Sequence, residues 1–344
     1  MKILADTDVF GIYIPEEYGG LGSGILDLCL VVEELSRVCS GVAVSYAASA
    51  LGSFPLLMYG TGEQKQKYLP DLASGKILAG FALTEAEAGS DAGAIKTTAQ
   101  RTEGGYILNG TKQFITNGGE AEIYTVIVLT AKEKGPRGAS AFLVEKDTPG
   151  FSFGRKEKKL GIRASVTREL VFEDCLVPEK NLIGREGMGF IMTMRLLDRS
   201  RPGVAAQAVG LAQGALETAV DYARKRIQFG HPIISFQAVQ QMLADMATQV
   251  EAARALVYAV ARSIDSGAKN FTEESAMTKV FASDVAMKVT IDAIQIMGGV
   301  GYMRDYPIEK MMRDAKITQI YEGSNQVLRN AIAIGLRKRK AKRE

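Results

Sequence analysis

The sequence predicts a mostly α-helical fold with a central β domain, because the spacing of its apolar residues changes twice along the 344 residues. The spacing is helical over residues 1–76, close to two over 77–185, and helical again over 186–344. We therefore expect an N-terminal helical domain, a middle antiparallel barrel or sandwich, and a C-terminal helical bundle with a basic tail. A chain of this length can form two or three packed units.

The N-terminal region predicts helices. Apolar residues follow helical spacing over 27–38. Thr61 and Gln64 have the form of a capping box, which predicts a second helix beginning there. The glycine-rich residues 17–24 resemble a nucleotide-binding loop, but Ile25 stands where its last glycine would be required. We interpret this stretch as a turn.

The middle region predicts short strands, because apolar and polar residues alternate in four runs. These runs are residues 106–110, 124–129, 141–144 and 169–172. Turn-forming pairs lie between or beside them, at residues 104–105, 109–110 and 149–150. Short strands joined by such turns are typical of an antiparallel sheet.

The C-terminal region predicts four helices. One apolar stripe runs over residues 204–222 and a second over 239–264, each stepping by three and four. A third helix is predicted over 273–297 and a fourth from Ser324. Long helices with such stripes are typical of an antiparallel bundle.

Composition excludes several classes of function. The formal charge is +3, but the terminal run 337–344 holds six cations and one anion, which leaves −2 for the rest. Nucleic-acid binding would need a basic face with stacking aromatic residues, and the sequence shows none. The three cysteines show no metal or disulfide spacing, and His231 is a single histidine beside a predicted loop. We expect no metal site, no signal peptide and no membrane span.

Residues 318–326 carry the strongest chemical signal. Glu322 lies between Tyr321 and Gly323, directly before a helix that Ser324 or Asn325 can cap. A carboxylate at such a junction can remove a proton while a nearby backbone amide stabilises the developing charge. The simpler interpretation is a helix start with an acidic residue in front of it.

Seven separated segments, in order, resemble the acyl-CoA dehydrogenases over essentially the whole chain. They are IPEEYGG (14–20), ALTE (82–85) with AGSD (88–91), NGTK (109–112) with FITN (114–117), DRSRP (198–202), RIQFG (226–230), QIMGGVGY (295–302) and YEG (321–323). The resemblance implies an N-terminal helical domain (1–76), a middle β-barrel (77–185) and a C-terminal four-helix bundle (186–344). This agrees with the apolar spacing.

The resemblance also implies the chemistry. An enzyme of this family uses bound FAD to convert an acyl-CoA into the trans-2-enoyl-CoA. Glu322 matches the base that removes the α-proton, and the β-hydrogen leaves as hydride to flavin N5. The backbone N–H of Glu322 and a ribityl hydroxyl of FAD would polarise the thioester carbonyl. The electrons would pass to an electron-transferring flavoprotein, and the family expectation is a homotetramer.

Other roles follow position by position from the resemblance. The residues that match flavin contacts are Phe81, Leu83, Thr84, Phe114, Ile115 and Thr116, together with Ser324 and Gln326 after the base. Those that match FAD contacts made from a neighbouring subunit are Arg226, Phe229, Gln237, Gln295, Gly298 and Gly299. Those that match substrate contacts are Ser90, Asp198, Arg201, Tyr321 and Gly323.

The chain departs from the family pattern in three places. Some branches carry the base near 198–201, where this chain has Ser200, so we expect Glu322 to act alone. Branches that oxidise dicarboxylic acyl groups have an arginine in the early helices, which residues 40–45 lack. This favours an uncharged, short or branched acyl chain, with an arylacryloyl type still open. One or two helices that usually precede residues 10–15 are missing, so we expect less covered apolar surface there.

Two alternatives stay open. One is an acyl-CoA oxidase that uses O₂ directly, and the other is a non-catalytic, flavin-binding scaffold protein. The expected location is the cytoplasm for a bacterial or archaeal source, with the mitochondrial matrix left open.

Overall fold

The structure is a computed structural model that describes residues 1–340, with side chains up to Arg337. The predicted basic tail therefore lies largely outside the described residues. The chain folds into two compact units. One comprises residues 1–24, 45–158 and 164–197, and the other comprises 25–44, 159–163 and 198–344.

Helices precede and follow a central set of strands, as the sequence predicts. The helices are α1 Lys2–Ala5, α2 Ile25–Tyr59, α3 Gly62–Ala73, α4 Gly189–Lys225, α5 Gln237–Asp265, α6 Thr272–Met297, α7 Ile308–Thr318 and α8 Asn325–Lys340. The strands are β1 Ala79–Ala82, β2 Thr98–Thr102, β3 Gly105–Thr116, β4 Ile123–Leu129, β5 Ala139–Glu145, β6 Phe151–Lys156, β7 Thr167–Pro178, β8 Leu182–Ile183, β9 Ile227–Gln228 and β10 His231–Pro232.

The first unit is built on an eight-stranded sheet. Its strand order is β6-β7-β3-β2-β4-β5-β8, and β1 pairs with β4 beside this path. Most pairs are antiparallel, but the β1–β4 and β2–β4 pairs are parallel, which the sequence did not predict. The core of the sheet is aromatic and aliphatic and includes Tyr106, Tyr124, Phe142, Phe151, Phe172 and Val177. Burial of such side chains is the main favourable term for this unit.

Helix α3 begins as its sequence predicts. The Thr61 hydroxyl accepts a hydrogen bond from the Gln64 backbone N–H at 3.2 Å, and the Gln64 side chain accepts one from the Thr61 N–H at 3.0 Å. This reciprocal pair is a capping box. The Gln64 amide also donates to the carbonyls of Lys180 and Leu182, which ties the helix to the start of β8.

Helix α2 is long and apolar enough to cross a membrane by length and composition alone. However, 72% of its most apolar 18-residue window is buried within the protein, as in an ordinary core helix. It also leaves helical geometry at Cys39, where φ is −151°. The burial of this window supports a structural role for α2.

The second unit is a helical bundle. The predicted stripe on α5 is buried along its length, from Leu243 to Ile264. The third predicted helix corresponds to α6, and α8 begins one residue after Ser324. The Ser324 hydroxyl accepts from the Val327 backbone N–H at 3.4 Å, so Ser324 is the cap. Helix α7, which the sequence did not predict, lies directly before the Glu322 segment.

Candidate functional site

Glu322 lies in a strained turn between α7 and α8. Its φ is 49° and that of Gly323 is 97°, so two consecutive residues are left-handed. Glycine adopts this conformation at little cost, but a residue with a Cβ adopts it at a cost of order 1–3 kcal/mol. Strain of this kind, at a residue with a titratable side chain, is typical of a functional site.

Groups from the helices of the same unit hold this turn. The Arg201 Nε–H donates to the Glu322 carbonyl oxygen at 3.2 Å. The Lys279 Nζ donates to the Gly323 carbonyl oxygen at 2.8 Å. The Tyr321 hydroxyl donates to Gln207 Oε1 on α4. The three residues 321–323 are therefore each fixed from outside the turn.

The Glu322 carboxylate is partly buried and has one close partner. The Ser200 Oγ donates to Glu322 Oε2 at 2.5 Å. Burial raises the pKa of the Glu322 carboxyl above its usual value, while the Ser200 hydrogen bond and the charges of Arg201 and Lys279 oppose this rise. A carboxylate with a raised pKa is a stronger proton acceptor than an exposed one.

Ser200 occupies the position at which the resemblance places the base in some branches of the family. Its side chain meets the carboxylate of Glu322 directly, although the two residues are 122 positions apart. A longer acidic side chain at position 200 would place its carboxyl group in the same neighbourhood. An acidic side chain at position 200 and one at position 322 would therefore reach the same place in the fold.

The backbone amide of Glu322 is available as a donor. Its N–H makes no hydrogen bond to any group in residues 1–340, although the neighbouring Tyr321 and Asn325 amides donate to Ile317 and Gln319. Partly buried amide donors rarely stay without an acceptor. A free N–H on the same residue as a proton acceptor can bind the oxygen of a polarised carbonyl.

Six of the residues predicted to contact the flavin lie in the first unit, on β1, β3 and the segment after β1. Phe81, Leu83, Thr84 and Thr116 are partly exposed, and Phe114 is 62% exposed with φ 59°. The Gln113 backbone N–H donates to the Thr84 carbonyl at 2.8 Å, which joins the two segments. Ile115 is the exception, because its side chain points into the sheet core. Only its backbone can meet a ligand.

These residues fit an isoalloxazine ring. They combine partly exposed apolar side chains with two hydroxyls, those of Thr84 and Thr116, that have no hydrogen-bond partner in the described part of the chain. A flavin has apolar faces and polar edge atoms, and such mixed surfaces are typical of cofactor sites. The chemistry of the residues present therefore matches the cofactor that the resemblance implies.

Lys112 is a buried residue that bonds to the segment carrying Leu83 and Thr84. Its side chain is fully buried, and its Nζ donates to the Leu83 carbonyl at 3.0 Å and to Glu85 Oε1 at 2.6 Å. Burial lowers the pKa of Lys112 to about 8, while Glu85 acts in the opposite direction. Glu85 in turn accepts backbone N–H bonds from Lys96 and Thr97. The buried pair thus fixes the segment that carries Leu83 and Thr84.

We expect the Lys112→Met substitution to lower the free energy of unfolding by about 3–5 kcal/mol, because it leaves Glu85 buried without its cation. We also expect the purified variant to lose FAD. Thermal unfolding and the absorbance of bound flavin would measure the two effects. Lys96→Met is the matched control, because Lys96 is an exposed surface partner of Glu87. An FAD content equal to that of the control would contradict this role for Lys112.

Asp198 and Arg201, two of the predicted substrate contacts, face inward in this structure. The Arg201 Nη1 donates to Asp198 Oδ1 at 2.7 Å, and Asp198 Oδ2 accepts from the Thr272 hydroxyl at 2.5 Å. Both side chains are largely buried. Arg201 therefore supports the Glu322 turn, and its contact with CoA stays a prediction. Ser90, the other predicted contact to the CoA arm, is exposed.

The residues predicted to reach FAD across a subunit boundary are exposed, and so is Gln326 at the start of α8. They are Arg226, Phe229, Gln237, Gln295, Gly298 and Gly299. Phe229 is 92% exposed at the tip of the β9–β10 hairpin, where both turn residues have positive φ. Arg226 has no ion-pair partner among the side chains described up to Arg337, and it lines a cavity of about 490 Å³ with Tyr222 and Tyr306. A free cation beside a cavity suits an anionic ligand.

Sequence reasoning missed Lys279 and Gln207. Both lie inside long helices, where a polar residue is usually solvated. Lys279 lies among buried neighbours on both sides, Thr278 and Val280. A lysine within the mostly apolar residues 276–282 was the signal that could have found it.

Comparisons with known proteins agree on one family. Family models match the acyl-CoA dehydrogenase N-terminal domain at residues 1–76, the middle domain at 80–175 and the C-terminal domain at 187–336. The acryloyl-CoA reductase (NADH) of Anaerotignum propionicum is 50% identical over 342 residues, which cover 98% of this chain and 86% of that protein.

Two solved structures are also similar. The butyryl-CoA dehydrogenase of Megasphaera elsdenii superposes with a TM-score of 0.95 at 47% identity, covering 97% of this chain and 88% of that one. A chain from a study of the electron transferring flavoprotein of Acidaminococcus fermentans and flavin-based electron bifurcation gives a TM-score of 0.96 at 53% identity, with coverage of 97% and 88%.

Proposed function

The chain belongs to the acyl-CoA dehydrogenase family of FAD-dependent oxidoreductases, and we propose that it oxidises a short, uncharged acyl-CoA between its α and β carbons. The single observation that carries this proposal is the strained turn in which Glu322 offers both a carboxylate and a free N–H. The predicted domain boundaries at 76 and 185 and the roles of the individual site residues belong to the same proposal.

Each step of the proposed reaction is assigned to particular residues of this chain. The Glu322 N–H donates a hydrogen bond to the thioester carbonyl oxygen, which acidifies the α-carbon. The Glu322 carboxylate then takes the α-proton, and Ser200 Oγ keeps that carboxylate oriented. FAD, when bound, supplies the acceptor for the β-hydrogen and its electron pair. Leu83, Thr84 and the β3 residues Phe114 and Thr116 bind and orient the ring.

A short acyl chain is supported by the relatives. One similar protein is a butyryl-CoA dehydrogenase and another an acryloyl-CoA reductase, and both names state a small, uncharged acyl group. The absence of an arginine in residues 40–45 agrees with an uncharged chain. The similarity to a chain studied with an electron transferring flavoprotein supports such a flavoprotein as the electron partner. The exposed Arg226 and Phe229 support assembly as a homo-oligomer.

Reduction of an enoyl-CoA is a second candidate, and the acryloyl-CoA reductase relative favours it. The same residues serve both directions, because Glu322 in its protonated form can return the proton to the α-carbon. The physiological direction then depends on the electron partner.

Anaerobic titration with a panel of acyl-CoAs tests the proposal. We expect butyryl-CoA to bleach the flavin, and glutaryl-CoA to leave it oxidised because nothing in residues 40–45 pairs its distal carboxylate. Acetyl-CoA is the control, since it has no β-carbon to oxidise. Chemically reduced enzyme mixed with acryloyl-CoA would test the reverse direction. Failure of all short-chain substrates to bleach the flavin would overturn the proposal, and peroxide formation at the rate of substrate consumption would favour an oxidase.

A further inference from the structure

The two consecutive left-handed residues of the turn are each held at their carbonyl by a cation, and the cations come from different helices. Arg201 on α4 holds the Glu322 carbonyl, and Lys279 on α6 holds the Gly323 carbonyl. Neither cation is near the turn in sequence, since 121 and 44 residues separate the bonded pairs. A left-handed pair can revert to a less strained conformation unless its surroundings oppose this. The hydrogen bonds from the buried Arg201 and Lys279 side chains oppose this reversion.

Lys279 is an unusual choice for such a donor. Its side chain is fully buried, and its two acceptors are neutral oxygens, the Gly323 carbonyl at 2.8 Å and Asn325 Oδ1 at 3.0 Å. It forms no ion pair with any side chain that the structure describes. Burying an ammonium without a carboxylate partner costs several kcal/mol, and an apolar residue would avoid this cost. A lysine kept here despite that cost, with its Nζ bonded to the Gly323 carbonyl, indicates a specific role for this side chain.

The surroundings fix where the ammonium points. The Asn325 amide donates through Nδ2 to Asp284 Oδ1 at 2.9 Å and to Ser283 Oγ at 2.8 Å, which turns its Oδ1 toward Lys279. Asp284 also accepts from the Gln319 amide at 2.6 Å. Residues on both sides of the turn are thus tied to one segment of α6. The ammonium is the link from that segment to the turn itself.

The charge of Lys279 acts on the Glu322 carboxylate as well. The charged groups that face Lys279 are Glu322 from the turn, Arg201 from α4 and Asp284 from α6 itself. Burial lowers the pKa of Lys279 to about 7; Glu322 and Asp284 raise it, and Arg201 lowers it further. The cation in turn lowers the pKa of Glu322. Its protonated form therefore favours the ionised carboxylate that proton removal needs.

We propose that Lys279 is a positioning residue for α-proton removal: its ammonium holds the Gly323 carbonyl, keeps the Glu322–Gly323 turn left-handed, and places a positive charge near the Glu322 carboxylate. This inference rests on the proposed function, because it assigns a role within the same reaction. Lys279 itself touches neither reacting carbon.

The test uses the holoenzyme with Lys279→Met and Lys279→Gln, and Lys288→Met as the control. Lys288 lies on the same helix but is exposed and pairs with Asp292 at 2.9 Å. The Gln variant is the second probe in case the Met variant does not fold, because its amide can still bond to Asn325. The readout is a pH titration with 3-thiabutyryl-CoA, which has an acidic α-proton and no β-hydrogen to transfer. Its deprotonated form beside an oxidised flavin gives a long-wavelength charge-transfer band.

We expect both Lys279 variants to need a higher pH than wild type to develop the band. We also expect butyryl-CoA to reduce their flavin about 10- to 100-fold more slowly, with little change in KM. The Lys288 variant should match wild type in both measurements. A merely structural role would lower thermal stability without moving the pH midpoint. Variants that bind FAD and keep the wild-type midpoint would overturn the inference, whereas a wild type that shows no band would overturn the proposed function instead.

Discussion

Replacement of Glu322 with glutamine is expected to leave the protein yellow and to abolish its bleaching by butyryl-CoA. Glutamine has the same shape, and Arg201 can still bond to the backbone carbonyl of residue 322. However, the glutamine side chain cannot take a proton. Loss of a general base typically costs 10²–10⁴-fold in rate, so single-turnover flavin reduction should fall by about that factor or more. Stopped-flow absorbance under anaerobic conditions measures this. Bleaching at the wild-type rate would remove Glu322 from the role of base.

The same variant should be more stable than wild type at neutral and higher pH. The pKa of Glu322 is raised in the folded protein, so its contribution to stability is fully present below its unfolded pKa and is lost as the pH rises through its folded pKa. Glutamine has no proton to lose, so the variant escapes this loss. Thermal unfolding at several pH values should show the difference between the two proteins growing with pH.

A second carboxylate at position 200 should restore part of the lost activity. The Ser200 side chain meets Glu322 Oε2 at 2.5 Å, so a glutamate there reaches the same location. We expect Ser200→Glu combined with Glu322→Gln to reduce its flavin at least about tenfold faster than Glu322→Gln alone. Ser200→Ala in the same background is the control and should restore nothing.

Substitution of Arg201 by lysine is expected to slow flavin reduction about 100-fold while leaving KM nearly unchanged. Arg201 uses Nε for the Glu322 backbone carbonyl and Nη1 for Asp198, and the single ammonium of a lysine does not reproduce the fixed planar geometry of these two donors. The turn would then shift, and a displacement of about 1 Å at a reacting group can cost 10²-fold.

The split between kcat and KM distinguishes the two roles considered for Arg201. A direct contact with CoA, as its sequence position predicts, would raise KM and leave the rate of flavin reduction intact. Steady-state kinetics with butyryl-CoA, together with single-turnover reduction, would separate them. Arg199→Lys is a useful neighbour control, because Arg199 makes no bond to the turn in the described structure, which ends at residue 340.

The regular elements could be predicted from the sequence where their pattern is long. Helix α5 has eight apolar positions in regular register, and all but the first are buried as expected. Strands β1 and β2 were not predicted, because β1 has only four residues and β2 is mostly polar. Helix α7 was missed because its residues 308–318 mix charge with apolar positions over only about three turns.

The site could be predicted in its residue types but not in its connections. Glu322 was singled out by its own segment, whereas Thr84 and Thr116 were implied only by the family resemblance. The left-handed backbone of Glu322 could not be predicted, because glutamate gives no local signal for positive φ. The inward direction of Arg201 and the burial of Lys279 depend on partners 121 and 44 residues away. Such long-range contacts have no signature in a single sequence.

The measurement that tests the central claim most directly is exchange of the α-hydrogens of 3-thiabutyryl-CoA in D₂O, followed by NMR with enzyme and with Glu322→Gln. This analogue isolates proton removal, since no hydrogen can leave its β position. Exchange catalysed by the wild type and lost in the variant, with FAD bound in both, is the predicted result. Equal exchange by the two proteins would show that another group removes the proton.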